Sequence, residues 1–195
     1  MKPMMLRLAS MDTAENIVYL ARPCQYSDDP SCNSSYWSNK RFSEEVVSSM
    51  NEAVDHFRQR SNAKEIHLIG YSGGAAVAAL IAARRQDIAS LRTIAGNLDP
   101  NTLTHFHHSS PLNGSLDPMT EAPKLSQIPQ RHFVGLDDKV VPPLIARNYL
   151  NKSGNSRCVK VVELKGVAHD TGWVERWREL LEMPMNCAEE SASVS

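Results

Sequence analysis

Three residues of this 195-residue chain could together do acyl-transfer chemistry: Ser72, Asp138 and His169. A serine hydroxyl is a poor nucleophile at neutral pH and needs a base that takes its proton in the transition state. Imidazole suits that role because its ordinary pKa, about 6.5, lies near working pH. A carboxylate then orients the ring and stabilises the imidazolium. Ser72 stands in Gly70-Tyr71-Ser72-Gly73-Gly74, a G-x-S-x-G pattern. The apolar run 66–69 before it reads as a short buried strand. The Ala-rich run from Ala75 reads as a helix, since Ala is the best helix former. A serine at the apex of a strand–turn–helix is held in a strained conformation with its hydroxyl exposed. The flanking glycines avoid a Cβ where strand and helix crowd the turn. The following helix points its N-terminus at the site, so the Gly73 amide is the candidate oxyanion donor.

These residues need a scaffold, and the rest of the chain supplies one. Residues 3–10 read as a short amphipathic helix through Met4, Met5, Leu6 and Leu8. Residues 16–20, a β-branched and aromatic run, read as a strand. Residues 21–39, rich in Pro, Asp, Ser and Asn, form a long loop. Tyr26, Tyr36 and Trp37 in that loop, with Tyr71, are candidates for a substrate-pocket wall; the loop aromatics serve equally as anchors of the loop. Ser43 is the expected N-cap of a helix whose apolar stripe is Val46, Val47, Met50, Val54 and Phe57. The helix after Ser72 is expected to run to about Arg85. Further strands are expected at 91–96, 130–135 and 159–164, with helices from Pro142 or Pro143 through Leu150 and over 173–181. Residues 97–124 hold four prolines and little periodicity, and read as an irregular, cap-like excursion. Their His105, His107 and His108 lack a helical His pair with Glu and lack a nearby cysteine. A solvent-facing or cap-packing role is therefore expected rather than a metal site.

Strand and helix alternate throughout, which predicts an α/β fold: a mostly parallel sheet covered by helices on both faces. Ligands of such sheets bind beyond the carboxyl ends of the strands. Ser72, Asp138 and His169 each follow an expected strand, so all three should meet at that edge. Asp137 competes with Asp138 for the acid's role; spacing to Val141-Pro142 favours Asp138. The expected organisation is one domain over 1–185 and a flexible tail over 186–195.

The net charge of −1 supplies no basic surplus for nucleic-acid phosphates. No apolar run approaches the roughly 20 residues of a membrane span. The chain as it stands carries no secretory signal, which suits the cytoplasm. Cys24 and Cys32 bracket a polar loop, and a disulfide there would suit an oxidising compartment instead. Cys158 and Cys187 are a second possible pair, and four free thiols are an equal alternative. No Cys-x-x-Cys occurs, and the chemistry outlined requires no cofactor or metal.

The motifs together resemble the α/β-hydrolase superfamily, in its serine esterase and lipase branches. Gly70-Tyr71-Ser72-Gly73-Gly74 resembles its nucleophile elbow. The stretch 135–142, with Asp138 before Val141-Pro142, resembles its acid loop. Gly166-Val167-Ala168-His169 resembles its late histidine loop, and the order Ser, Asp, His is that superfamily's. Residues 19–26 and Tyr36-Trp37 resemble a bacterial branch of exported hydrolases. The resemblance implies an α/β-hydrolase fold without its N-terminal strands and without the loop that supplies half the oxyanion hole. A shortened N-terminus would also place the natural protein in the periplasm or outside the cell. It implies a serine hydrolase acting on a small-molecule carboxylic ester, with Ser72, Asp138 and His169 catalytic. Two alternatives stand beside it: a hydrolase-fold binding protein with little or no turnover, and a thioesterase or peptidase using the same three residues.

Overall fold

Four short apolar runs become the four strands of one sheet in the computed structural model, which describes residues 3–26 and 29–187. They are β1 (Ile66–Tyr71), β2 (Ile88–Ile94), β3 (Gln130–Gly135) and β4 (Val159–Leu164). They lie in the order β1-β2-β3-β4 and every pair is parallel. Parallel neighbours cannot be joined by a tight hairpin, so each connection is a crossover carrying helix. α3 (Gly73–Ala82) links β1 to β2. α4 (Pro100–Phe106) and α5 (Pro118–Glu121) lie between β2 and β3, and α6 (Leu144–Lys152) links β3 to β4. α1 (Met4–Ala9) and α2 (Glu44–Ser61) precede the sheet, and α7 (Trp173–Glu182) follows it.

The helices cover both faces. On one, Ala75 and Ala79 of α3 and Ile145 and Tyr149 of α6 pack with Leu91 and Val159. On the other, Leu8 of α1 and Trp173, Trp177 and Leu180 of α7 pack on Ile94, Phe133 and Leu164. α2 lies outside α3, with Val46 and Val47 against Val77, Leu80 and Ile81. β3, one of the two interior strands, is buried along its whole length.

Small residues let α3 sit close on the sheet. A Cβ added to Gly70 would lie 2.6 Å from the Ala75 Cα, and one added to Gly96 would lie 2.8 Å from the Ala75 Cβ. The first clash is with backbone, which cannot rotate away. Gly70→Ala is therefore expected to destabilise the fold by about 2–4 kcal/mol, a core overpacking cost. Chemical denaturation of the variant checks this.

His132 is fully buried in β3. Its Nδ1 lies 2.8 Å from Thr93 Oγ1, and its ring meets Tyr149 edge-on at 5.0 Å. Burial, with the nearby Arg131 charge, lowers its pKa to about 3. Here the folded-state pKa lies below the unfolded one. The imidazole then costs nothing above about pH 6.5, and stability is lost as pH falls from there towards 3, because only the unfolded chain takes the proton. One proton is worth about 1.4 kcal/mol per pH unit. Unfolding free energy should thus fall by roughly 2–3 kcal/mol between pH 7.5 and 4.5, and His132→Gln should flatten that slope. Urea titrations of both proteins at the two pH values provide the check.

Several expectations are corrected. Residues 16–20, read as a strand, are unpaired coil with Ile17 and Val18 exposed. A strand exists through its ladder partners. Among the described residues β1 pairs only with β2, and residues 16–20 face β1's free edge across a cavity rather than against it. β2 begins three residues before the expected start at 91, and α3 ends at Ala82 rather than Arg85. The stretch 97–124 is less irregular than its composition suggests. Asp99 and Asp117 cap α4 and α5 by accepting backbone N–H bonds from Thr102 and Met119, each with Pro in the first turn. Ser43 does occupy the N-cap of α2, but its side chain makes no capping bond. Cys24 is bonded to Cys32 and Cys158 to Cys187. Positions 188–195 of the expected tail lie outside the described residues. No helix among the described residues is long and apolar enough to cross a membrane.

Candidate active site

Ser72 joins β1 to α3 with φ 50° and ψ −121°, a conformation that costs a non-glycine residue of order 1–3 kcal/mol. Its neighbours over-determine it. The Ser72 N–H donates to the Ile94 carbonyl at 2.9 Å. The Ser72 carbonyl accepts from the N–H groups of Ala75 at 3.1 Å and Asn97 at 3.0 Å. The hydroxyl is left at the carboxyl edge of the sheet, with Oγ 3.1 Å from His169 Nε2. Gly73 opens α3, whose first-turn amides have no partners within the helix.

Asp138 is buried in the loop after β3. Its Oδ1 accepts the backbone N–H groups of Val140 and Val141, each at 2.8 Å. Its Oδ2 lies 2.9 Å from His169 Nδ1. With one oxygen committed to two backbone donors, the other is aimed at the imidazole. Asp137 is exposed, and its backbone N–H bonds to the Val167 carbonyl. The acid and histidine loops touch because position 135 is glycine: a Cβ there would lie 2.3 Å from the Val167 carbonyl oxygen. His107, after α4, has Nε2 2.7 Å from the Val140 carbonyl and so braces the acid loop. Sequence reasoning gave His107 no such role, because the contact spans two loops with no shared pattern. Among the described residues no group of His, Cys, Asp or Glu is arranged to hold a metal ion.

His169 follows β4 with its side chain largely covered. Its Nδ1–H is held by Asp138, which leaves the Nε2 lone pair facing the Ser72 hydroxyl. The His169 carbonyl accepts the Trp173 indole N–H at 2.8 Å and lies 3.0 Å from the Tyr71 hydroxyl. That hydroxyl also reaches Asp170 Oδ1 at 2.6 Å. Burial pushes the Tyr71 pKa up, and the Asp170 bond and charge push it further, so the phenol stays protonated.

A cavity of about 960 Å³ reaches Ser72 from the free edge of β1. Tyr71, Ser72 and Gly73 are part of its lining, with Leu68, Ile69, Val77 and Trp177 as apolar wall and Arg58, His67 and Arg92 among its polar residues. Tyr26, Tyr36 and Trp37 are absent from its lining, against expectation. Tyr26 is 64% and Trp37 49% exposed, while Tyr36 packs on the Phe42 and Val46 cluster. The same loop instead presents Arg22 and Gln25 to the cavity, polar side chains that an aromatic search passes over.

Comparison with known proteins agrees with this fold. The structure is similar to puromycin hydrolase, with TM-score 0.57 and 19% identity over 70% of this chain. It is also similar to the monoacylglycerol lipase of Paleococcus ferrophilus, with TM-score 0.52 and 17% identity, covering 70% of this chain and 74% of that one. An alpha-beta serine hydrolase homologue from Coxiella burnetii gives TM-score 0.52 and 18% identity, covering 83% and 63%. At these identities the likeness shows the α/β-hydrolase fold. The chain spans about a quarter of the puromycin hydrolase it matches, 24% of that chain. No curated protein matches. A family model described as "Serine hydrolase (FSH1)" matches residues 7–167, a span that includes Ser72 and Asp138 and ends two residues before His169. With most of its length inside that match and a serine at the elbow of an α/β-hydrolase sheet, the chain belongs to the FSH1 serine hydrolase family.

Proposed function

We propose that the protein hydrolyses a carboxylic ester through an acyl-enzyme formed on Ser72. The observation that carries this reading is the unbroken relay from Ser72 Oγ to His169 Nε2, and from His169 Nδ1 to Asp138 Oδ2. Ser72 Oγ attacks the ester carbonyl carbon as its proton passes to Nε2. Negative charge develops on the carbonyl oxygen, and the Gly73 N–H at the start of α3 stabilises it. The tetrahedral adduct collapses, the carbon–oxygen bond to the alcohol breaks, and the alcohol leaves with the proton from Nε2. Water then repeats the sequence on the acyl group, returning Ser72 and the carboxylic acid. Asp138 holds the ring throughout.

The apolar part of the cavity lining, Leu68, Ile69, Val77 and Trp177, supports an ester with an apolar acyl group. A fluorophosphonate probe tests the assignment, since it phosphonylates only an activated serine. The expected result is one adduct on Ser72. A folded protein that stays unlabelled, or Ser72→Ala that labels equally, contradicts it.

A further inference from the structure

We infer that Tyr71 is a positioning residue for the base, tying the His169 loop to the strand that carries Ser72; this rests on the reading of Ser72 as nucleophile. Nucleophile and base sit on loops at opposite ends of the sheet sequence, after β1 and after β4, so nothing in the sheet ladder registers one against the other. The histidine loop is tied to the acid loop at the Val167 carbonyl, which accepts the Asp137 N–H at 3.0 Å, and it closes on itself through the Ala168 N–H and the Thr171 carbonyl at 3.2 Å. Gly166 and Gly172 flank it at φ 70° and 87°, and Lys165, Gly166 and Asp170 are exposed. Asp138 orients the imidazole ring, but the backbone beneath the ring needs its own anchors.

Two side chains supply them, and both act on the carbonyl of His169. Trp173 Nε1 donates from the first position of α7, at 2.8 Å. Tyr71 reaches the same carbonyl at 3.0 Å and Asp170 Oδ1 at 2.6 Å, so its single proton is shared between two acceptors of one loop. Its ring also lies against the imidazole, centroids 5.3 Å apart and planes tilted by 37°. Tyr71 immediately precedes Ser72 on β1. Tyr71 is thus the anchor of the base's loop that is continuous with the nucleophile, and it helps to set the distance between Oγ and Nε2 alongside Trp173 and Asp138. Asp170 acts only through Tyr71, by holding its hydroxyl.

The test is saturation labelling by a fluorophosphonate, which separates the maximal rate from probe affinity and needs no knowledge of the natural substrate. Misplacing a catalytic group by about 1 Å can cost 10²-fold. Tyr71→Phe keeps the ring but loses the hydroxyl. It should lower the maximal labelling rate about tenfold, with half-saturation within twofold and melting temperature within about 2 °C. Asp170→Ala should slow labelling less, and the double variant should be no slower than Tyr71→Phe alone, as for residues acting in one chain. Wild-type labelling by Tyr71→Phe, a loss that tracks a falling melting temperature, or additive single effects would overturn the positioning role while leaving the nucleophile intact. An unlabelled wild type would overturn both.

Discussion

Ser72→Ala is expected to reduce ester hydrolysis by roughly 10⁵-fold or more, to the level that binding and oxyanion stabilisation alone supply. The size follows from the relay. His169 Nε2 has one hydroxyl within reach, and without it the imidazole has no proton to take on the path to an acyl-enzyme. His169→Ala should cost a similar amount, and the double variant little more, since residues that act as one unit are not additive. The substitution leaves the fold in place. The backbone bonds from Ser72 N–H to Ile94 and from Ala75 and Asn97 to the Ser72 carbonyl do not involve the side chain. Steady-state rates on p-nitrophenyl acetate, with circular dichroism to show that the variant is folded, check both statements.

The second large effect is expected at Asp138. Asp138→Asn should lower kcat by about 10⁴-fold, the scale on which a wrong histidine tautomer disables such a relay. The reason is specific to this loop. The N–H groups of Val140 and Val141 both donate to Oδ1, so an asparagine keeps its carbonyl oxygen there and turns its amide nitrogen towards His169. An amide donor facing Nδ1 makes that nitrogen an acceptor and puts the imidazole proton on Nε2. Nε2 then meets the Ser72 hydroxyl as a donor and cannot take its proton. Asp137→Asn should stay within twofold of wild type, because its side chain is exposed and its loop contact is made by the backbone N–H. Side-by-side kinetics of the two asparagine variants decide which carboxylate orients the base.

Much of this arrangement was legible in the chain because it depends on local pattern. β3 and β4 are short apolar runs bounded by turn residues, and they form over the expected residues 130–135 and 159–164. The elbow was legible for the same reason: glycines, serine and an Ala-rich helix are adjacent in sequence. Residues 16–20 misled because β propensity states only that a segment suits a sheet, while pairing depends on what lies beside it. The capped helices in 97–124 are short, and their amphipathic pattern is too brief to see. Asp138 could be favoured over Asp137 from its spacing to Val141-Pro142, but what fixes its carboxylate is a pair of backbone donors that no side-chain pattern reveals. Tyr71 had a legible place, next to the nucleophile, yet its partners His169 and Asp170 come from the far end of the chain. Contacts of that kind follow from topology, and they make up most of what was missed.

The most direct measurement is the mass of the protein quenched during turnover of p-nitrophenyl acetate at low pH, followed by peptide mapping. Hydrolysis through Ser72 predicts a fraction of the wild type heavier by one acetyl group, mapped to Ser72 and lost in Ser72→Ala. Turnover with the acetyl group on another residue, or a folded wild type that neither turns over nor gains mass, would contradict the account.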